Sequence, residues 1–372
     1  MSVQANEFKD LHEKLNDPKY TWMDKQIKRD LAAFEEKGIS LHMLESTWQG
    51  ILASPEKDSA CLVRYKIVNN NITFSSPTAN LDSYFCRVMK GNFIDFTKKI
   101  RTTFINFIKE MTQYLDLPDV EFLLCLEDSI ERPIFLELCQ APIFCISKKK
   151  KNNKVILYPS TIMALDPASL CSTILHANSI HPWESKISKA FWRGIAAGGP
   201  YHGSWDLFPR PSLIVTSYYH PEDVDAAFVG NFLFTTAVDI RDYILNFKPP
   251  REFVSISDQI AYKYLIAVDG QTWPTSLEWQ LLSNSVVLKS DSDWLDWFYE
   301  LLTPYEHYVP YEKDYNDILT KINWLRENDG LARKISEQAT EVALNFFTKE
   351  AAFVYFYKLF SAYACLQNFQ PN

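Results

Sequence analysis

The segment Val120–Leu126, VEFLLCL, is apolar at nearly every position over the length of one strand. A strand with one wet face alternates polar and apolar residues. A strand apolar on both faces must be covered on both, and that is the situation in the middle of a parallel sheet flanked by helices. The run Tyr264–Val268, YLIAV, and the shorter Val286–Leu288 make the same demand in the second half of the chain. Between such runs the period changes. Phe93, Phe96, Ile100, Phe104, Phe107 and Met111 recur at threes and fours, as do Ile27, Leu31 and Phe34, and then Leu331, Ile335, Ala339, Val342 and Phe346. Short apolar runs, PIFCIS, VILYP, KAFWRG, PSLIVTS, AAFVG and HYVPY, read as further strands in alternation with helices. The spacing predicts an α/β chain built from βαβ units.

A chain of 372 residues is too long for one ordinary core, and with 47% hydrophobic and 15% aromatic residues it can fill two. The expected division is residues 1–165, residues 166–345, and a closing helix over 346–372 that returns to the N-terminal half, with Thr348 as its N-cap. A net charge of −8 argues against wrapping nucleic acid. Seven scattered cysteines without a CxxC pair read as reduced thiols rather than a disulfide frame or a zinc site. The polar start MSVQANEFKD has no secretory character, and no run of about 18 apolar residues exists to span a bilayer. The expectation is a cytoplasmic protein with at most peripheral contact with the inner face of a membrane. The one basic block, Lys148–Lys151 with Lys154, is expected to be a solvated turn.

Chemistry in such folds gathers beyond the carboxyl ends of strands, in a cleft between halves. Three strand ends qualify. Tyr264–Val268 stops at Asp269-Gly270 and passes through Gln271, Thr272, Trp273, Pro274 and Thr275 to Ser276. Thr275-Ser276-Leu277-Glu278 has capping-box spacing, and the N–H groups of the helix it opens suit a diphosphate, although the same pattern also serves a purely structural cap. Arg193 ends the run Lys189–Gly194. Buried and alone it would be costly, so it needs either a structural carboxylate or a diphosphate. Asp128 follows Val120–Leu126, where a carboxylate can take a proton from a hydroxyl or simply cap a turn. Ser290-Asp291-Ser292-Asp293 contains a DxD pattern and reads as the N-cap of a helix starting near Trp294, not as a metal site.

Taken together, IKRDLAAFEEKGIS, CLEDSIERPIF, HPWESKISKAFWRG, YKYLIAVDG, NSVVLKSDS and HYVPY resemble, in this order, one glycosyltransferase family. It contains the protein O-glucosyltransferases (Rumi and relatives with KDEL-like tails), capsule-associated proteins and bacterial lipopolysaccharide-modifying enzymes. The resemblance covers nearly the whole chain. It implies a GT-B fold, two Rossmann-like domains facing across a cleft, with the last helices packing back on the N-terminal half. It implies inverting transfer of a sugar, glucose or xylose, from a UDP-sugar to a hydroxyl of a glycan of lipopolysaccharide type or of a protein. No metal and no cofactor beyond the donor are implied. Asp128 falls at the family's catalytic aspartate. Ser188, Arg193 and Gly194 fall on its donor-contacting segment, and Asp269, Gly270 and Gln271–Ser276 on its diphosphate turn. Ser276 departs from the pattern, because many eukaryotic members carry an arginine there. That leaves helix N–H groups, Arg193 and Lys263 to offset the leaving diphosphate, and it motivates an alternative: a catalytically impaired relative that only binds nucleotide sugar or glycan.

Overall fold

A computed structural model describes residues 8, 10–76, 92–159, 167–196, 208–230, 251–314 and 316–371. The chain divides into two compact units. The first comprises Met1–Asp166, Trp294–Leu301 and Thr348–Asn372; the second comprises Pro167–Asp293 and Leu302–Phe347. The short return of residues 294–301 to the first unit has no counterpart in the sequence reading.

In the first unit five strands form one sheet in the order β2-β1-β3-β4-β6, with β1 at Leu62–Val68, β2 at Asn71–Ser75, β3 at Val120–Cys125, β4 at Ile143–Cys145 and β6 at Val155–Leu157. Strands β3, β4 and β6 are parallel, whereas β1 runs antiparallel to both β2 and β3, so this sheet is mixed. The β1–β2 hairpin was not anticipated. Its turn residues Asn69 and Asn70 both take positive φ, 49° and 62°, the pairing that a two-residue type I′ hairpin turn requires. All six residues of β3 are buried. Helix α10 (Lys349–Leu366) opens on Thr348, whose side chain accepts the Ala351 N–H. It lays Phe353, Phe356 and Phe360 against Phe107 and Phe104 of helix α3 (Asn92–Met111) and against Phe122 and Phe144 of the sheet, with ring centroids 4.8–6.4 Å apart.

The basic block is a solvated turn at Lys149–Lys151, which are exposed, but not at Lys148. Lys148 lies on β5 (Ser147–Lys149) with its side chain 4% exposed and ion-pairs at 2.6 Å with Asp30, which is fully buried on helix α1 (Thr21–Leu31). Asp30 also accepts from Gln26 and from the Leu157 N–H of β6, both at 2.9 Å, while Lys148 donates to the Val155 carbonyl at 3.0 Å. One carboxylate thereby fastens a helix to the edge of the sheet. Beside it, β5 pairs antiparallel with β11 (Trp294–Asp296). The expected helix after Asp293 is this strand, followed by a 3₁₀ turn at Tyr299–Leu301, so no helix starts at the DxD pattern.

The second unit holds a fully parallel sheet in the order β12-β10-β9-β7-β8, with β7 at Ile187–Gly194, β8 at Val224–Phe228, β9 at Tyr262–Ala267, β10 at Val286–Ser290 and β12 at Val309–Tyr311. Leu213 and Ile214 of helix α6 (Pro209–Tyr219), Ile318, Ile322 and Leu325 of α8 (Ile318–Glu327), and Ala332 and Ile335 of α9 (Asp329–Phe346) share one core with the strands. The run PSLIVTS, expected as a strand, lies within α6. Pro209 stands in the first turn of that helix, where proline's fixed φ and missing N–H do no harm. Among the described residues the six cysteines are thiols, and no helix is long and apolar enough to cross a membrane; Cys86 lies outside the described residues.

Replacing Lys148 with Met should leave the buried Asp30 carboxylate without its cation and cost about 3–5 kcal/mol. Asp30→Asn added to it should restore part of the loss, since Asn still accepts the Leu157 N–H. Urea unfolding of both variants measures this, and a single variant within about 0.5 kcal/mol of the parent would count against it.

Candidate functional site

Strand β7 has β8 on one side and β9 on the other, and the connection from β7 to β8 runs through α6. The order therefore reverses between β7 and β9. At such a switch point the loops leave in opposite directions and open a crevice beyond the carboxyl ends. Gly194 ends β7, and Val268-Asp269-Gly270 follow β9. A Cβ on Gly194 would lie 2.4 Å from the Trp192 ring, so the missing side chain is what lets that ring lie over the strand end. Arg210, in the first turn of α6, stands over the Trp192 ring at 5.6 Å. Its Nε donates to the Asp269 carbonyl at 3.2 Å and its Nη1 to the Ile195 carbonyl at 2.7 Å. A Cβ on Gly270 would come within 2.6 Å of Nη2.

Asp269 is 8% exposed. Its Oδ2 accepts from the Ser292 hydroxyl, while Oδ1 is buried without a hydrogen bond among the described residues. Burial raises its pKa, and the Ser292 bond followed by Lys289, Lys313 and Arg210 pull it back. The charges of three cations therefore act on one buried carboxylate near the carboxyl ends of β9, β10 and β12. Lys289 is itself buried, with its ammonium 5.6 Å over the Tyr308 ring.

Several residues expected here are elsewhere or otherwise engaged. Ser188 is the second residue of β7, six residues and roughly 20 Å of strand from Gly194. It sits by Tyr264, whose hydroxyl is 3.4 Å away, so the structure does not bring it to the carboxyl edge. Arg193 is not alone. Its side chain is 5% exposed and pairs with Asp225 at 3.0 Å, donates to the Trp192 and Asp225 carbonyls, and lies over the Phe191 ring. The structural carboxylate is thus its partner, and only its Nε lacks a bond among the described residues. Lys263 is at the amino end of β9, bound to Asp329 at 2.5 Å. The turn Gln271–Ser276 does follow Gly270, with Trp273 and Pro274 buried, but the helix is capped at Ser276, one residue after the expected Thr275. Helix α7 (Leu277–Leu281) has five residues, and its cap, Ser276, makes no side-chain bond. So short a helix carries little of the dipole that a longer one would offer an anion. Arg210 has no place in the sequence reading, because the adjoining PSLIVTS reads as a strand and Arg210 falls before it; the Pro-Arg-Pro sequence at the helix start is the available signal.

In the first unit, β3 ends at Cys125 and the chain bends. Asp128 is exposed. Its backbone carbonyl accepts the N–H and hydroxyl of Ser147 at 3.1 and 2.8 Å, which fixes the bend to β5. Glu127 turns inward instead, where the Cys61 thiol donates to its Oε1 at 3.3 Å. Cys61 takes φ 40°, a left-handed conformation unusual for a residue with a side chain. Burial pushes the Glu127 carboxyl up to about 7, the Cys61 bond opposes this, and the neighbouring Asp128 adds to it. Two adjacent carboxyls therefore occupy different environments, one wet and one partly dry.

A carboxyl-edge crevice at the switch point of a parallel sheet is the ligand site of doubly wound α/β units, and the chain has one such unit and a second α/β unit on a mixed sheet, the two-unit make-up of the GT-B class. The chain belongs to Glycosyl transferase family 90, whose model matches residues 18–372. It is 31% identical over 271 residues to "Protein O-glucosyltransferase 2" of Danio rerio, covering 72% of this chain and 51% of that protein. It is 25% identical over 357 residues to "Protein O-glucosyltransferase 3" of Homo sapiens, covering 93% and 62%. To "O-glucosyltransferase rumi" of Drosophila pseudoobscura pseudoobscura it is 29% identical, covering 62% and 56%. The chain thus spans between about half and two thirds of the length of these curated relatives. Among solved structures it is similar to a glycosyltransferase from Rickettsia africae at TM-score 0.40 and 11% identity, covering 78% of this chain and 84% of that one. It is also similar to HepE of Anabaena in complex with UDP-glucose, at 0.34 and 14%, covering 49% and 50%.

The raised carboxyl of Glu127 makes stability depend on pH. The folded state keeps a proton between pH 4.5 and about 7 that the unfolded chain has released. The contribution is complete below the unfolded value and is lost as pH rises through the folded one. Relative to Glu127→Gln, the parent should therefore lose at most about 2–3 kcal/mol between pH 5 and pH 8. Unfolding curves at the two pH values read the difference, and a gap that does not move with pH would show Glu127 to be ordinary.

Proposed function

We propose that the chain is the catalytic region of an inverting glycosyltransferase that moves glucose from UDP-glucose to a hydroxyl of a protein or glycan acceptor. The observation that carries this reading is the gathering of Arg210, Lys289 and Lys313 on the buried Asp269, at the switch point of the second unit's sheet, in a chain of a glycosyltransferase family. The names of the curated relatives support glucose as the sugar.

In this mechanism the second unit holds the donor. Arg210 Nη2, beside Gly270, binds the diphosphate, and the absence of a side chain at 270 is what admits both. The Oδ1 of Asp269 accepts a donor hydroxyl. As the bond to the anomeric carbon breaks, Arg210 and Lys289 stabilise the charge that develops on the departing UDP, where fixed cations act most strongly. The first unit supplies the base. Asp128, exposed to water and next to a carboxyl whose pKa burial raises, takes the proton of the acceptor hydroxyl as its oxygen attacks. Arg210 is also the cation whose lack at Ser276 motivated a merely binding relative. Arg193 serves the donor indirectly, by holding Asp225 and the end of β7.

UDP should bind and raise the melting temperature, and Arg210→Ala should weaken it by roughly 1.5–3 kcal/mol, the loss of a charge-assisted hydrogen bond. Calorimetric titration decides the point, because equal affinity of variant and parent would remove Arg210 from the donor site.

Asp128→Asn should lower UDP-glucose turnover, assayed with EDTA present, by ~10²–10⁴-fold while leaving UDP affinity unchanged. Glu127→Gln should remain active. The reverse pattern would assign the base to Glu127, and activity that needs added Mn²⁺ would refute a reaction without metal.

A further inference from the structure

The face of the first unit's sheet that carries Glu121 lines a half-open pocket of about 310 Å³. Arg64 and Lys66 of β1, Thr73 and Ser75 of β2 and Glu121 of β3 form its floor, and Trp48 of helix α2 (Leu41–Ala53) its wall. The register makes this one surface. Lys66 stands opposite both Thr73 and Glu121, and Arg64 opposite Ser75, so their side chains leave the pleat on the same side. Phe74, between them, lies against Tyr65 and Arg101. Glu121 is the second residue of β3. About 13 Å of strand separates it from Cys125, and Asp128 lies further on, so the cavity is not the reaction site.

Its chemistry is polar but neutralised. Glu121, with its side chain 5% exposed, accepts from Arg64 Nε at 2.6 Å and faces Lys66 at 3.6 Å, and Arg64 Nη1 reaches Glu45 at 2.6 Å. Two cations are matched by two carboxylates within the wall, leaving no excess charge to draw an anion. Directional capacity remains. Arg64 Nη2 and the hydroxyls of Thr73 and Ser75 make no hydrogen bonds among the described residues. A rigid guanidinium–carboxylate pair, two hydroxyls and an indole edge suit a ligand with hydroxyls around its rim and C–H groups on its face. A volume at the lower end of the range for small-molecule sites suits one ring rather than a nucleotide.

We propose that this cavity is a carbohydrate subsite that takes a single uncharged pyranose unit, apart from the centre at Asp128 and independent of the donor reading above. The Glu121–Arg64 pair addresses vicinal hydroxyls, Thr73 and Ser75 the rim, and Trp48 the apolar face of the ring. Such a subsite would hold a glycan by a unit other than the one being modified.

Saturation-transfer NMR and calorimetric titration with the methyl β-pyranosides of glucose, galactose and xylose test it on the full chain. Thr73→Tyr and Ser75→Tyr are the blocking variants, because β2 is an exposed edge strand where a tyrosine folds readily. At least one glycoside should bind in the millimolar range. Each variant should weaken it about tenfold or more with the melting temperature held, and turnover of UDP-glucose should be unchanged. No binding by any glycoside up to its solubility, or binding that both variants leave intact, would overturn the proposal. Displacement of the sugar by sulfate would overturn its assignment to an uncharged ligand.

Discussion

Strands buried on both faces have no wet side on which to place function. In the second unit β9 and β10 are covered above and below, so polar chemistry is pushed to the edge where the strands end and the backbone becomes irregular. The crevice is therefore a consequence of the core. The reversal of order between β7 and β9 parts the loops, and the strand-end segments on either side carry Gly194 and Gly270, two positions at which a side chain would collide with Trp192 or Arg210.

Charge is handled in two ways at three places in the molecule. Asp30 and Lys148 are buried as a pair and act as a fastener. Arg193 and Asp225 do the same beneath the end of β7. Asp269 has cations around it and one oxygen still without a hydrogen bond among the described residues. A carboxylate left in that condition costs free energy in the resting protein. A ligand hydroxyl recovers it, which is why this arrangement points to binding whereas the other two point to structure.

Much of the architecture was legible because long apolar runs and long amphipathic helices are strong signals. Val120–Leu126, Tyr264–Val268 and the aromatic face of the last helix needed nothing beyond periodicity, and Thr348 was a readable cap. The misreadings share a cause. PSLIVTS and the residues after Asp293 are short, and over a few residues a buried helix and a buried strand look alike, so neighbours decide. Spacing could not tell that Lys148 would meet Asp30 across 118 residues, or that Arg193 would find Asp225 on the adjacent strand. For the same reason the donor-side cation was sought at Ser276, Arg193 and Lys263, along the matched motifs, and not at Arg210, which comes to Gly270 only through the packing of its helix.

The chain passes between the two units four times, after Asp166, Asp293, Leu301 and Phe347. Neither unit is a continuous stretch of polypeptide. Emerging from the ribosome, the first unit must wait for its last layer, because Phe104, Phe122 and Phe144 find Phe353, Phe356 and Phe360 only after the second unit has been made. Until then its most aromatic surface stays open, and the second unit is made while the first is still incomplete. Vectorial folding, in which an N-terminal domain closes before the next begins, is not available to a chain threaded this way. Its biogenesis favours slow, late closure and places a premium on chaperones that shield aromatic surface.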